Sequence, residues 1–369
     1  YSFLRNIRKF RKLEPFILFI IYFWVAINLV TVMTFGNLTD SGVFSFLSIT
    51  SNLLIPYIIL KIQKFEFLKN FETVVFWLTC ISLPLFTIHY LSPELFWSLS
   101  PDLDFMTIEE QRLNQGWYIG VFMFNGWAED RNSGFMWEPG AFAFMIILAM
   151  FLRLKINQFK FDKRIVIYSV AIITTFSTMG FIVLLFILLA LINKKKRLEV
   201  YIFSVPLIIF LLTMYLTELD FIVPKLEVYF NEMDNTSRMT DVAGGILRMN
   251  RFGILKFAVE ESVHWPYGYG IFEYTPGILK YGESVHGPNT YAQLIFRWGW
   301  IGVLLFLFAA KRMVRHFYVD RNSRVRLLMF IAFLLSVSSY NLLNNMFLIS
   351  FLYIPFMNYQ TSKEQSFIP

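Results

Sequence analysis

The feature that most constrains this chain is a series of apolar runs, each about as long as a bilayer is thick. Such runs occupy residues 15–35, 42–60, 73–91 and 138–154. A helix of about 20 apolar residues crosses the hydrocarbon core of a membrane. Of the 369 residues, 56% are hydrophobic, which is more than a soluble domain usually carries. The sequence therefore predicts an all-α integral membrane protein.

Clusters of lysine and arginine set the predicted orientation, because these residues collect on the cytoplasmic side of a membrane. Basic residues precede the run at 15–35 and follow those that end at 60 and 154. The N-terminus is thus predicted to be cytoplasmic, and 92–137 becomes an external loop. Two more spans are predicted at 200–219 and 288–309, which makes 220–287 a large external loop.

Two other apolar stretches are predicted to be hairpins that do not cross the membrane fully. Residues 165–193 and 326–358 have basic residues at both ends and polar residues near the middle. A single span would place one basic end outside, against the usual charge distribution. The total is about ten membrane segments with both termini cytoplasmic. The stretch 116–127 is interpreted as a segment that enters the membrane without crossing it.

This pattern divides the chain into three regions and excludes several classes of protein. Residues 1–219 hold the first membrane helices, 220–287 the external loop with helices of its own, and 288–369 the last membrane helices. The single cysteine, Cys80, excludes an intrachain disulfide and a cysteine-based metal site. The net charge of +7 is explained by cytoplasmic loops that meet anionic lipid, so binding of nucleic acid has no support.

Two arginines in the large loop are candidates for binding a diphosphate. Residues 240–261 read as a helix, on which Arg248 and Arg251 would share one face. A guanidinium can form bidentate hydrogen bonds with phosphate oxygens, and it stays charged at any working pH. The alternative is that the two arginines pair with Glu260 and Glu261 or only keep the loop soluble.

A histidine before the next span is a candidate general base. His286 precedes a predicted helix on which Asn289, Gln293 and Arg297 follow at intervals of four, so they share a face. Polar groups in an apolar helix are expected to face a cavity or a partner. The ordinary pKa of histidine lies near neutral, which suits proton transfer. The alternative is that His286 is an ordinary surface residue.

A carboxylate at the start of the inward-going helix is the second candidate base. Glu138 immediately precedes Pro139, which is a favourable first residue of a helix. At a helix N-terminus the dipole stabilises a negative charge. Glu138 can therefore act in the chemistry, or it can cap the helix and pair with Arg131.

Three short motifs occur in an order and on a side of the membrane that resemble a known superfamily. They are Trp137-Glu138-Pro139-Gly140-Ala141, the stretch FSTMG at 176–180, and the run from His286 through Asn289 and Tyr291 to Gly299-Trp300-Ile301-Gly302. Together they resemble the superfamily of Wzy-type O-antigen polymerases and O-antigen ligases over residues 130–310. Two positions depart from it. Gly287 and Pro288 separate His286 from Asn289, and Thr178-Met179 stands where the family has an arginine.

The resemblance implies a GT-C-like membrane glycosyltransferase in the bacterial inner membrane, with its active site facing the periplasm. Such an enzyme polymerises undecaprenyl-diphosphate-linked repeat units of a surface polysaccharide, without metal or cofactor. The donor and acceptor are then both lipid-linked glycans, and a chain-length regulator protein is a possible partner besides membrane lipids. The alternatives are an O-antigen ligase that transfers the glycan to lipid A core and, in a different class, a flippase or other transporter.

The roles implied for individual residues follow these motifs. His286 or Glu138 would act as the base, and direct displacement would invert the anomeric centre. Arg248, Arg251 and Arg131 would hold the diphosphate. The acceptor or its cavity would be lined by Asn289, Tyr291, Gln293, Arg297, Ser177 and Thr178.

Overall fold

The computed structural model of this chain describes residues 14–36, 40–99, 116–125, 130–192, 246–249, 251–281, 284–287, 289–319, 321–338 and 345–357. Up to residue 192 the described elements are α1 (Pro15–Phe35), α2 (Asp40–Gln63), α3 (Glu66–Leu91), α4 (Pro93–Trp97), β1 (Gly116–Ile119), β2 (Phe122–Asn125), α5 (Pro139–Ile156), α6 (Lys163–Thr174) and α7 (Thr178–Ile192). After residue 245 they are β3 (Ile246–Arg248), α8 (Arg251–His264), a 3-10 turn (Gly270–Phe272), α9 (Thr275–Tyr281), β4 (Ser284–His286), α10 (Thr290–Phe317), α11 (Ser323–Ser338), α12 (Met346–Tyr353) and a second 3-10 turn (Ile354–Phe356).

The described chain is mostly helical, and five of the helices in these ranges are long and apolar enough to cross a membrane. They are α1, α2, α3, α5 and α10. The all-α membrane class is confirmed to that extent, with two short two-stranded sheets added to the helices. The span predicted at 200–219 lies outside the described residues, and the total of about ten segments stays a prediction.

By its internal contacts the chain divides into two compact units. The first contains residues 1–67, 225–316 and 341–369, and the second contains 68–224 and 317–340. Each unit combines segments that are distant in sequence, because helices from different parts of the chain pack against one another.

In the first unit, α1 is fastened to α2 by a buried carboxylate. Glu14, which immediately precedes α1, is only 2% exposed and accepts hydrogen bonds from Lys61 Nζ at 2.6 and 2.7 Å and from Tyr57 Oη at 2.8 Å. A buried charge is tolerated when it is paired and hydrogen-bonded in this way. The contact fixes the two helices at the end where Lys61 enters the last turn of α2.

The largest departure from the predicted topology in this unit is a sharp bend in α10. Gly299 has φ +63° and ψ −165°, a conformation that only glycine adopts readily. The rings of Tyr291 and Phe306 therefore come within 5.9 Å of each other, although fifteen residues of straight helix would separate them by about 22 Å. The span predicted at 288–309 is thus found as a candidate membrane helix, but it is bent. The helix has a first arm up to Trp298 and a second arm from Trp300 to Phe317.

A loop between α8 and α9 fills this bend and replaces the hydrogen bonds that the bend removes. The Trp300 N–H donates to Pro266 O at 3.2 Å, and the Tyr269 N–H donates to Phe296 O at 2.5 Å. The loop also reaches α1, where the Ile271 N–H donates to Asn28 Oδ1 at 2.9 Å. Backbone groups away from water need such partners. The loop is therefore part of the folded core of the first unit.

In the second unit, α5 is the central helix. Every residue from Ala141 to Leu152 is buried, and α6, α7 and α11 all pack against α5. A helix that is apolar all round is expected in such a position. At the ends of α5 and α6, Asp162 accepts hydrogen bonds from Arg153 Nε at 2.7 Å and from the Ile165 N–H at 3.1 Å.

The apolar run 165–193 is interrupted at its polar middle, as the sequence predicts. α6 ends at Thr174 and α7 begins at Thr178, with Phe176 at φ +45° between them. Both helices pack against α5, and α7 also packs along α11. The second predicted hairpin, 326–358, likewise contains two helices, but most of its polar tip lies outside the described residues.

Within the stretch 116–127, residues 116–125 form a β-hairpin, and the entry of this stretch into the membrane stays a prediction. β1 and β2 pair antiparallel, with Gly116 opposite Asn125. Phe122 and Phe124 on β2 are fully buried against Phe96 and Trp97, since alternate residues of a strand share one face. This packing holds the hairpin beside the segment that leads into α5, where the Met123 N–H donates to Gly134 O.

Candidate active site

The predicted functional residues of the external loop come together in the first unit, around a parallel pair of short strands. In the register of β3 and β4, Arg248 lies opposite His286. Arg251, three residues after Arg248, is the first residue of α8, and the first arm of α10 begins just after β4 at Thr290. Residues separated by almost forty positions in sequence therefore share one small sheet and the helix starts that follow it.

The predicted helix over 240–261 is wrong in its first half. Ile246–Arg248 is a strand, and the helix runs from Arg251 to His264; residues 240–245 lie outside the described residues. The helical spacing put Arg248 and Arg251 on one face, whereas they belong to different elements. The physical reason is that the backbone of 246–248 finds hydrogen-bond partners in β4, which local periodicity cannot reveal.

Asn289 has a structural role that the sequence interpretation did not assign to it. Its Oδ1 accepts hydrogen bonds from the N–H groups of Tyr291 at 2.9 Å and Ala292 at 3.1 Å, as an N-cap residue does. Its Nδ2 donates to Arg251 O at 3.0 Å. Asn289 is buried, so it ties the start of α10 to the start of α8 rather than opening a polar face toward a cavity.

The spacer between His286 and Asn289 also has a packing reason. A Cβ added to Gly287 would lie 2.8 Å from the Ile254 side chain and 3.0 Å from Met249 O. The chain therefore passes close to α8 at this point, and only glycine fits without a shift. The departure from the superfamily spacing thus coincides with a close contact inside the candidate site.

Gln293 and Arg297 are one turn apart on the first arm of α10, as predicted, but Arg297 already has a partner. Its guanidinium forms a bidentate ion pair with Glu273, and both side chains are only 8% exposed. Arg297 Nη1 and Gln293 Oε1 are buried and make no hydrogen bond to the residues that the structure describes. Tyr291, at the start of the same arm, is partly buried. Sequence analysis missed Glu273, which lies in the loop before α9 with no periodic signal of its own.

The second unit holds Arg131, Ser177 and Thr178. Arg131 Nε donates to Thr175 O at 3.1 Å, so the arginine contacts the break between α6 and α7, which the sequence did not predict. The Ser177 hydroxyl accepts a hydrogen bond from the Gly180 N–H at 3.3 Å, which makes Ser177 a cap of α7. Thr178 is the first residue of α7 and is exposed.

Glu138 stands at the N-terminus of α5 without using its carboxylate to cap the helix. It occupies the N-cap position with an extended backbone, and its side chain makes no capping hydrogen bond. Within the described residues it forms no ion pair, so it does not pair with Arg131. The interpretation of Glu138 as a clip for that arginine is therefore wrong. The carboxylate is partly exposed and available to a ligand.

Hydrogen bonds from the Asn125 side chain hold the segment before Glu138 in place. Asn125 Nδ2 donates to Ser133 Oγ at 2.6 Å and to Trp137 O at 3.0 Å. These bonds join the β-hairpin to the segment before α5. Trp137 itself is half exposed. Glu138 thus lies beside an accessible aromatic ring on a segment fixed by side-chain hydrogen bonds.

No group of three or more potential metal ligands occurs among the described residues. Comparison with known proteins adds no assignment, since no protein-family model and no curated protein matches this chain.

Proposed function

We propose that this protein is a membrane glycosyltransferase that moves a growing glycan from its lipid diphosphate to a hydroxyl of the next lipid-linked repeat unit. The observation that carries the proposal is the register that places Arg248 opposite His286, with Arg251 at the start of the adjoining helix. Two permanent cations beside a titratable base are what this reaction needs. The donor class and the polymerase type rest on the resemblance described above.

In the proposed reaction, the acceptor hydroxyl loses its proton to a base and attacks the anomeric carbon of the donor sugar. The bond from that carbon to the diphosphate oxygen breaks, and the lipid diphosphate leaves with the electron pair. Arg248 and Arg251 would stabilise the charge that develops on the leaving oxygen. His286 is the proposed base on the first unit.

Glu138 is the competing base, and its open carboxylate supports that role. Its carboxylate makes no capping hydrogen bond and no ion pair within the described residues, so the structural account that remains for it is the favourable field of the helix N-terminus. Glu138→Gln is nearly isosteric and removes only the charge and the ability to take up a proton. The variant therefore separates chemistry from packing at this position.

The test is a gel of lipid-linked glycan after the purified protein, in lipid, is incubated with undecaprenyl-diphosphate-linked repeat unit. A ladder is expected from the unaltered protein, and Arg251→Ala is expected to lower its rate of formation by about 10²-fold or more. The matched control is Arg315→Ala, an exposed arginine near the end of α10, which is expected to leave the ladder unchanged.

Each result has a definite meaning. Loss of the ladder in Glu138→Gln with activity kept in His286→Gln makes Glu138 the base, and the reverse makes it His286. Absence of a ladder but transfer to added lipid A core would make the protein a ligase. Absence of both products from protein that remains folded would refute glycosyl transfer and favour a transporter.

A further inference from the structure

Helix α8 is apolar on two opposite faces. Ile254, Phe257 and Ala258 are buried in the first unit, while Phe252, Val259 and Val263 are 47%, 40% and 78% exposed. At 100° per residue, those three exposed side chains fall within about 40° of one another, on the side opposite the buried face. We call Phe252, Val259 and Val263 the outer stripe.

The outer stripe continues into the surface of a membrane helix. α8 runs beside the first arm of α10, with the rings of Phe257 and Phe296 5.6 Å apart. At the far end of α8, Trp300 Nε1 donates to Ser262 Oγ at 3.1 Å. Ser262 lies about 60° from Val259 around α8, so Trp300 is bonded to the flank of the outer stripe.

Trp300 begins the second arm of α10, whose first part exposes apolar side chains. Trp300 and Ile301 are each 42% exposed, and Leu304 is 64% exposed. The eleven apolar or glycine residues from Trp300 to Ala310 extend about 16 Å at 1.5 Å per residue, about half the thickness of a hydrocarbon core, and the exposed Lys311, Arg312 and Arg315 follow them. Tryptophan is also typical of the boundary between hydrocarbon and headgroups.

One basic residue beside the outer stripe suits the same environment. Lys256 lies four residues after Phe252 and so on the same side of α8. A lysine can lay its apolar stem along such a face while its ammonium reaches the headgroups. A helix with an apolar stripe and a cation beside it is typical of helices that lie at a membrane surface.

We infer that α8 lies in the membrane interface, with the outer stripe in contact with lipid at the boundary between headgroups and acyl chains. The argument for lipid, rather than for a protein partner, is the continuity of the stripe with Trp300, Ile301 and Leu304. A protein that covered the stripe would also have to displace lipid from the second arm of α10. The inference needs only membrane insertion and does not depend on the proposed reaction.

The test is the accessibility of spin labels in reconstituted vesicles. Cys80 is the only cysteine, so a Cys80→Ser background allows single labels at Val263→Cys and, independently, at Val259→Cys. His264→Cys is the matched control, because His264 is exposed but points about 100° away from Val263. Leu304→Cys is the reference for lipid exposure. Only variants that run as one species on size exclusion are compared.

The expected result is that labels at 263 and 259 collide with dissolved oxygen several-fold more often, relative to a water-soluble nickel chelate, than the label at 264. Preferential access of the nickel chelate to 263 and 259, with Leu304→Cys still oxygen-accessible, would overturn the inference. So would low collision rates with both reagents together with spin–spin broadening that disappears on dilution with unlabelled protein, since a second copy would then cover the stripe. A Leu304→Cys label open to the nickel chelate would refute membrane insertion itself.

Discussion

Removing either partner of the Arg297–Glu273 ion pair is expected to destabilise the protein more than removing both. The two side chains are 8% exposed, and Arg297 Nη1 makes no hydrogen bond within the described part of the chain. Glu273→Leu would leave a buried guanidinium without its carboxylate, which costs about 3–5 kcal/mol. Arg297→Met would leave a buried carboxylate at a similar cost. The double variant replaces the pair by apolar side chains and is expected to lie within about 1 kcal/mol of the unaltered protein.

The measurement is a double-mutant cycle on the free energy of unfolding in mixed micelles, followed by tryptophan fluorescence. A coupling energy of about 3 kcal/mol or more is expected between the two positions. The control is Lys280→Met, because Lys280 and Glu260 form an exposed pair at 3.5 Å with side chains 41% and 48% exposed; its cost should stay below about 1 kcal/mol. Additive single effects of less than 1 kcal/mol would refute the argument from burial.

The same double variant tests the predicted acceptor role of Arg297. If Arg297 contributes only to the fold, glycan transfer should recover together with stability. If it also contacts the acceptor, the double variant should be stable and yet slow. Stability and the rate of glycan transfer can differ in the double variant, because the apolar pair restores packing but not a hydrogen-bond donor.

Two further predictions concern stability at other positions. Burial alone would raise the pKa of the Asp162 carboxyl, but hydrogen bonds from Arg153 and its other partners lower that pKa below its ordinary value of 3.8. The charged Asp162 therefore stabilises the folded protein above pH 3.8, and this stabilisation is lost as the pH falls through the pKa of the folded state. Asp162→Asn should therefore lower the stability by about 1–2 kcal/mol at neutral pH, and a difference that persists undiminished well below pH 3.8 would contradict this reasoning. Gly299→Ala should abolish the folded species on size exclusion, because its Cβ would lie 2.1 Å from a backbone oxygen at φ +63°. Gly36→Ala is the matched control, since Gly36 also has positive φ (+88°) but nothing within 4 Å, and equal losses in both variants would refute the role of the close approach.

Much of the fold follows from patterns that are local in sequence. The long apolar runs predict α1, α2 and α5 to within three residues, and α3 except that it begins at Glu66, because burying a helix in lipid requires a continuous apolar stretch. The polar residues at 174–178 likewise predict the break between α6 and α7. Such signals need no knowledge of what packs against them.

The arrangement of the candidate site could be predicted only in part. The sequence singles out Arg248, Arg251, His286 and Glu138 by residue type and by their positions near predicted helix starts. It does not predict that Arg248 pairs in register with His286, because a strand of three residues has no periodicity to detect. Nor does it predict that Arg131 donates to Thr175 O, because that depends on a backbone oxygen 44 positions away coming within reach of the arginine.

What the sequence determined by itself is therefore the class of the protein, its apolar helices and the chemical types in its loops, all of which depend on neighbouring residues and on the solvent. Only the tertiary structure decided the bend at Gly299, the partner of Arg297 and the cap formed by Asn289. Each of these depends on a contact between elements distant in sequence: Pro266 fits into the bend, Glu273 meets the guanidinium, and Arg251 O accepts the Asn289 amide. Local propensity cannot encode such contacts, because the free energy that favours them exists only once both partners are in place.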